Sequence, residues 1–143
     1  MSTPGHPHFV WHGGELHVEQ LRVSELARQH GTPLFIYSKA SMLAALAAYR
    51  RGFAGRRSKI CYAMKANSSL GVLQVFAQAG CGFDIVSGGE LERVLAVGAP
   101  ARDIIFSGVG KTRAEMARAL EAGIGCFNVE SEAELEVLSE VAA

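Results

Sequence analysis

The chain has 143 residues, 49% of them hydrophobic and 20% charged, which is typical of a soluble globular protein with one ordinary core. Lysine plus arginine and aspartate plus glutamate number 14 each, so no net charge favours nucleic acid, an anionic membrane surface or an acidic partner. No apolar run approaches the roughly 20 residues of a membrane span, and the first residues do not resemble a signal peptide. We therefore expect a cytoplasmic protein without membrane or nucleic-acid partners.

Residues 1–31 have a pattern of their own. Two short stretches, residues 9–11 and 16–18, flank a Gly-Gly pair, and their apolar residues alternate with polar ones, which predicts a β-hairpin. The stretch VSELARQHG then predicts a short helix that ends at Gly31. We expect residues 1–31 to contribute to a second, all-β domain and residues 32–143 to form the first part of another domain.

The histidines and cysteines predict no metal site. All five histidines precede residue 31 without a metal-binding spacing, and we expect them at the surface: His6, His8, His12, His17 and His30. The rest of the chain therefore has no imidazole for acid-base chemistry. The three cysteines form no C-x-x-C pair and are expected to be reduced core thiols: Cys61, Cys81 and Cys126.

Residues 32–143 repeat one pattern, an apolar run rich in β-forming residues followed by a segment with helical spacing. The runs are LFIYS from Leu34, KICYAM from Lys59, GFDIVS from Gly82, DIIFSG from Asp103 and CFNVES from Cys126. Three helix starts have a Ser or Thr followed three residues later by Glu, which predicts capping boxes: Ser87 with Glu90, Thr112 with Glu115, and Ser131 with Glu134.

Buried strands that alternate with amphipathic helices predict an α/β fold with a parallel sheet, either doubly wound or closed into a barrel. The even spacing and short loops favour a partial (β/α)8 TIM-type barrel of about five βα units. A complete barrel takes about 250 residues, and the last helical pattern runs to Ala143. We expect the chain to be part of a larger protein and to be inactive alone.

Polar residues collect where the predicted strands end, which is the edge that binds ligands in parallel α/β folds. They include Asn67, Ser107, Gly108, Glu130 and, most notably, Lys65. Between Met64 and Ala66, Lys65 is expected to be partly desolvated, which would lower its pKa and make the amine a nucleophile toward aldehydes. The alternative is an ordinary lysine that begins a solvated loop.

Four blocks of sequence favour the first interpretation. CYAMKANSS, GFDIVSGGELERV, IIFSGVGKT and CFNVESEAELEVL resemble, in this order, the diaminopimelate decarboxylases, and so do the leading GELHVEQL and GTPLFIYS. Y-A-x-K-A-N is also similar to the motif of the ornithine and arginine decarboxylases, whereas the later blocks resemble diaminopimelate decarboxylase more specifically. The resemblance covers essentially the whole chain.

The resemblance implies pyridoxal 5'-phosphate as cofactor, bound covalently by Lys65, and a homodimer that releases CO2 from meso-2,6-diaminopimelate to give L-lysine. Asp84 matches the family's acidic residue close to the cofactor, and a carboxylate within an apolar strand is expected to pair with Lys65. The alternative is that Asp84 is a buried hydrogen-bonding residue that only stabilises the mouth of the barrel. Decarboxylation of ornithine, arginine or a related amino acid is the second function, and an inactive fragment that serves as a binding or interaction module is the third.

Two further stretches have simpler interpretations. FSGVGKT is similar to a nucleotide-binding phosphate loop, but Ile105 occupies the place of its first glycine, so we expect no nucleotide site and a solvated Lys111. A basic cluster follows the first predicted helix of the barrel and is expected to be a solvated face: Arg50, Arg51, Arg56, Arg57 and Lys59. It lacks the interleaved aromatic residues of a single-strand nucleic-acid site.

Overall fold

The structure of the protein is a computed structural model that describes residues 2–3 and 6–143, with side chains described from Pro7 onwards. Contacts divide the chain into two compact units, Met1–Gly55 and Arg56–Ala143. The domains predicted at residues 1–31 and 32–143 stay a prediction, because compact units need not coincide with the domains of a longer protein.

The first unit contains an antiparallel sheet. Its strands pair in the order β1-β2-β3-β4, with bounds Ser2–Thr3, His6–His12, Glu15–Val18 and Leu21–Arg22. Gly13 and Gly14 join β2 to β3 with φ of 60° and 82°, the left-handed pair that a tight hairpin turn requires. The hairpin predicted from the sequence is therefore present.

Two helices complete this unit. Helix α1 (Val23–His30) ends at Gly31 as predicted, and α2 (Lys39–Gly52) begins after the N-cap Ser38. The Glu19 carboxylate accepts hydrogen bonds from Ser38 Oγ at 2.7 Å and from the backbone N of Ala40 at 2.9 Å. The bond from Ala40, followed by that from Ser38, lowers the pKa of Glu19 below its ordinary value. A β-turn glutamate thus stabilises the start of α2.

The first predicted strand of the barrel, LFIYS, is wrong as a strand. Residues 34–38 join neither sheet, although Phe35 and Tyr37 are exposed while their neighbours are more buried. A strand exists only where a partner offers ladder hydrogen bonds, and the first unit offers none to this segment. Residues 34–38 thus alternate in burial as a strand does, but they have no strand to pair with.

The second unit contains a parallel sheet with helices between its strands. The strands pair in the order β5-β6-β7-β8, with bounds Cys61–Ala63, Gly82–Ile85, Ile104–Phe106 and Cys126–Phe127. The helices are α3 (Leu70–Gln78), α4 (Gly88–Ala96), α5 (Arg113–Ala122) and α6 (Glu132–Ala142). The predicted α/β fold of a partial barrel with an N-terminal β segment is confirmed, with four paired strands rather than five in the described part.

The two faces of the parallel sheet differ in burial. Phe83, Ile85, Ile104 and Phe106 are 0% exposed and form the core with apolar residues of the helices. Burying a side chain of this size contributes about 1.5 to 3 kcal/mol. The opposite face contains Asp84 and is only partly buried. In a closed barrel this second face points inward.

Several predictions about single residues are corrected or refined. Cys81 is buried as expected for a core thiol, but Cys61 is only half-buried, and Cys126 is exposed because β8 is a sheet edge in the described residues. His12 and His30 are exposed, His8 and His17 are half-buried, and the side chain of His6 lies outside the described ones. All members of the basic cluster are exposed.

Candidate active site

Lys65 lies at the carboxyl end of β5, in a 3-10 turn formed by Met64–Ala66. Met64 is 1% exposed and anchors the turn in the core, whereas Lys65 is exposed. In the part of the chain that the structure describes, the Lys65 amine is not shielded from water, so the predicted partial desolvation is wrong there. Local bonds fix the backbone: Tyr62 donates to the carbonyl of Asn67 at 3.1 Å, and Ser69 N donates to Asn67 Oδ1 at 2.8 Å. Asn67 orients the loop after the lysine.

Asp84 lies in the centre of the same sheet. On β6 it is level with Ala63 of β5 and Ile105 of β7. Its Oδ1 accepts a hydrogen bond from Ser107 Oγ at 2.5 Å. No ion pair joins Asp84 to Lys65 in the described part of the chain, so the predicted pair is corrected. The reason is register, since the lysine follows the residue opposite Asp84 by two positions and has turned away from the strand.

The bond to Asp84 belongs to a chain that crosses three strand ends. Asn128 Nδ2 donates to Ser107 Oγ at 3.0 Å, and Ser107 Oγ donates to Asp84 Oδ1. A hydroxyl has one proton to donate, so the chain has one direction, from amide to hydroxyl to carboxylate. No described residue donates to Asp84 Oδ2, which leaves that oxygen available to a ligand.

Lys111 is buried rather than solvated, which corrects the prediction. Its side chain is 0% exposed, and Nζ donates to Gly108 O and Asn128 O at 2.7 Å each and to Glu134 Oε1 at 2.6 Å. The ring of Phe106 lies 5.9 Å from Nζ. The chain turns after β7 at Gly108, whose φ is 93°.

The three predicted helix caps form, but only one is a complete capping box. Ser87, Thr112 and Ser131 accept bonds from the third residue of their helices. Only Glu115 also accepts a hydrogen bond from the backbone of its own N-cap residue, Thr112. Glu90 instead accepts from Val86 N at 2.7 Å, and Glu134 binds Lys111. The S-x-x-E spacing places a carboxylate near several hydrogen-bond donors but does not determine which of them it binds.

Glu115 also links two helix starts. Its Oε1 accepts from Gly88 N at 2.7 Å and its Oε2 from Thr112 N at 2.9 Å. The bond from Gly88, then that from Thr112, lowers the pKa of Glu115 below its ordinary value because both bonds favour the charged carboxylate. The amino ends of α4 and α5 are thus held together beside the carboxyl edge of the sheet.

The residues at this edge fit an aldehyde cofactor that a lysine holds covalently. Lys65 offers an accessible primary amine, and Asp84 Oδ2 and the strand-end hydroxyl and amide offer polar contacts on the less buried face. No group of three potential metal ligands occurs among the described residues. Within the same residues, no helix has both the length and the apolar character to cross a membrane.

Residues 39–143 match the family described as pyridoxal-dependent decarboxylase, pyridoxal binding domain. The chain belongs to the pyridoxal-dependent decarboxylases. This membership indicates pyridoxal phosphate as the cofactor, as predicted.

Relatives within this family support the resemblance found in the sequence blocks. Diaminopimelate decarboxylase of Pseudomonas aeruginosa is 53% identical over 94% of this chain and 32% of its own length. That of Vibrio cholerae is 54% identical over 90% of this chain and 31% of its own. A crystal structure of diaminopimelate decarboxylase from M. jannaschii in co-complex with L-lysine has a TM-score of 0.88 at 33% identity, covering 93% of this chain and 32% of that one. The chain spans about a third of the length of these relatives.

Two parts of the site in this pyridoxal-binding domain are not evident from the sequence alone. Asn128 was not singled out, although it follows β8 as Ser107 follows β7, and Phe106 pairs with Phe127. This register is the signal that could have identified Asn128. Nothing in the local sequence marks Lys111 as buried, because one of its acceptors follows β8 and another lies on α6, 17 and 23 residues away. Glu130, the other strand-end candidate, is exposed.

Proposed function

We propose that the protein carrying this chain decarboxylates meso-2,6-diaminopimelate to L-lysine and CO2. The observation that supports this substrate is the 53% identity to a diaminopimelate decarboxylase across nearly all of the chain. Bound pyridoxal phosphate supplies the electron sink that makes loss of CO2 feasible. The protein itself has to hold the cofactor, orient the reacting groups and move the proton.

Lys65 and Asp84 have distinct roles in this proposal. Lys65 Nζ holds the cofactor covalently and, when released, moves a proton at the reacting carbon. Asp84 binds the cofactor through Oδ2, while Ser107 fixes Oδ1 and therefore the plane of the carboxylate. The accessible amine and the unoccupied hydrogen-bonding capacity of Oδ2 support this assignment.

We also propose a cytoplasmic homodimer with a small amino acid as substrate, in which residues 1–31 contribute to a second, all-β domain. The separate antiparallel sheet of the first unit supports the last point. Gel filtration with light scattering of the full-length protein tests the dimer, and a monomeric mass would contradict it.

The substrate is tested by measuring CO2 release by the full-length protein from meso-diaminopimelate, ornithine and arginine. We expect kcat/KM to be highest for meso-diaminopimelate, and Lys65→Ala to lower it at least about 100-fold. Lys59→Ala is the matched control. Lys59 is also exposed, but it precedes β5 and therefore lies at the amino end of the strands, opposite to Lys65. Preference for ornithine or arginine would support the second function, and undiminished turnover by Lys65→Ala would refute the role of the lysine.

A cofactor-binding module without turnover is the remaining alternative. Borohydride reduction of the 143-residue chain with pyridoxal phosphate, followed by peptide mass mapping, separates it from the enzyme. Labelling of Lys65 together with an inactive full-length protein would favour the module. Labelling together with turnover supports the enzyme.

A further inference from the structure

Lys111 is a buried charge next to the backbone that follows β7 and β8. The ammonium has three N–H donors, and all three have acceptors: Gly108 O, Asn128 O and Glu134 Oε1. Removing an ammonium from water is unfavourable, and such a complete set of partners offsets this penalty. A full set of bonds around one atom fixes the positions of every group that takes part.

The acceptors belong to three different elements. Gly108 follows β7, Asn128 follows β8, and Glu134 lies on α6. Gly108 itself packs closely, since a Cβ at this position would lie 3.2 Å from Cβ of Val86. Lys111 therefore holds the ends of two adjacent strands against one helix.

The same two strand ends present the hydrogen-bond chain to Asp84. Ser107 immediately precedes Gly108, and Asn128 contributes its carbonyl to Lys111 and its amide to Ser107. A shift of either backbone would lengthen the bond from Asn128 to Ser107 or that from Ser107 to Asp84. The orientation of the carboxylate thus depends on a buried ammonium that does not itself bind Asp84.

We propose that Lys111 is a positioning residue for the decarboxylation, acting through Asn128 and Ser107 to hold the Asp84 carboxylate in one orientation. This inference rests on the proposed function. All three N–H donors of Lys111 bind protein groups, so its loss should leave the covalent attachment at Lys65 intact and impair the geometry around it.

The test uses the full-length protein loaded with pyridoxal phosphate and compares wild type with Lys111→Met. We expect kcat for meso-diaminopimelate to fall about 10- to 100-fold, because small misplacements near reacting groups have effects of this size. KM should stay within about threefold, and the visible absorbance of the bound cofactor should be retained. Lys59→Met, which removes an ion pair with Asp103 whose lysine is 52% exposed, should leave kcat unchanged.

A double-mutant cycle separates positioning from general destabilisation. In a Ser107→Ala background, Lys111→Met should lower kcat by less than about threefold, because the connection to Asp84 is already lost. Full additivity would overturn the inference, as would an unchanged kcat or a loss of cofactor in the single variant. If Lys111→Met does not fold, Lys111→Met/Glu134→Met leaves no unpaired buried charge and carries the same test. Wild type without activity on meso-diaminopimelate would overturn the proposed function, and this inference with it.

Discussion

Two ion pairs of the second unit show how burial sets the importance of single residues. Lys111 and Glu134 are 0% and 10% exposed, whereas Arg118 and Glu92 are 44% and 56% exposed. The exposed pair joins α5 to α4 and contributes about 1 kcal/mol or less, because water screens both charges. Loss of one partner from the buried pair leaves a charge without compensation. The sequence does not distinguish the two cases, because the burial of Lys111 depends on acceptors that lie 17 and 23 residues away along the chain.

Glu115 gives the protein a specific dependence of stability on pH. Its pKa is lowered in the folded state, so its contribution to the free energy of unfolding is present above the unfolded pKa, about 4.3, and is lost as pH falls through the folded pKa. Glu115→Gln replaces one accepting oxygen with an NH2 group opposite a backbone N–H. We expect a loss of about 1 to 3 kcal/mol at pH 7 by urea unfolding.

The difference between Glu115→Gln and wild type should narrow as the pH is lowered from 5 to 3. Glu121→Gln is the control, because Glu121 is an exposed residue of the same helix. A difference that stays constant over this range would show that charge at Glu115 does not stabilise the fold.

At the scale of elements, the sequence predicts what depends on local pattern and misses what depends on partners. The strands β5 to β8 and the N-caps of α4 to α6 follow from apolar runs and from single Ser or Thr residues. Residues 34–38 have the same kind of pattern but no pairing partner in their unit. The partner of Asp84 was misassigned for a related reason, since it depends on the register of β6 against β7.

Close packing between strands makes one glycine of β6 hard to replace. A Cβ on Gly82 would lie 2.7 Å from the carbonyl oxygen of Asp103 and 2.7 Å from Sγ of Cys61. Gly82→Ala should lower the free energy of unfolding by about 1 to 3 kcal/mol, because the Asp103 carbonyl belongs to the backbone that leads directly into β7 and can move only with it. Gly89→Ala is the control. Gly89 lies in α4 with no atom within 4 Å of the added carbon, so alanine should stabilise by up to about 1 kcal/mol.

Urea unfolding of both variants with circular dichroism detection gives the two free energies. Equal effects of the two substitutions would contradict the packing argument. A stabilised Gly82→Ala would do so more strongly, since it would require the two strands to have room that the structure does not contain.

At the scale of the whole molecule, the three thiols differ in exposure, although each lies in or directly before a strand of the parallel sheet. Cys126 is exposed at β8, Cys61 is half-buried on β5, and Cys81 is buried. Burial, the largest cause, raises the pKa of Cys61, with smaller contributions from Asp84 and Asp103 opposed by Lys59. Because the thiolate is the reactive form, both access and pKa slow the reaction of Cys61.

We expect a thiol reagent to modify Cys126 first, Cys61 more slowly and Cys81 last, as measured by mass spectrometry over time at pH 7.5. The rate at Cys61 should rise with pH beyond the point where an ordinary thiol is fully ionised. Unfolding in urea should abolish the differences. If Cys81 reacted as fast as Cys126 in the folded chain, the assigned burial would be wrong.

Several polar side-chain bonds of the second unit close stretches of chain of similar length. Bonds from Ser107 to Asp84, Asn128 to Ser107, Gly88 to Glu115, Lys111 to Glu134 and Arg118 to Glu92 join residues 21 to 27 positions apart. Closing each stretch costs a similar and modest entropy, so the sheet can grow by adding one strand and helix at a time. Amide hydrogen exchange in the isolated unit should accordingly be fastest in the outer strands and slowest in β6 and β7, with no single event that opens them all.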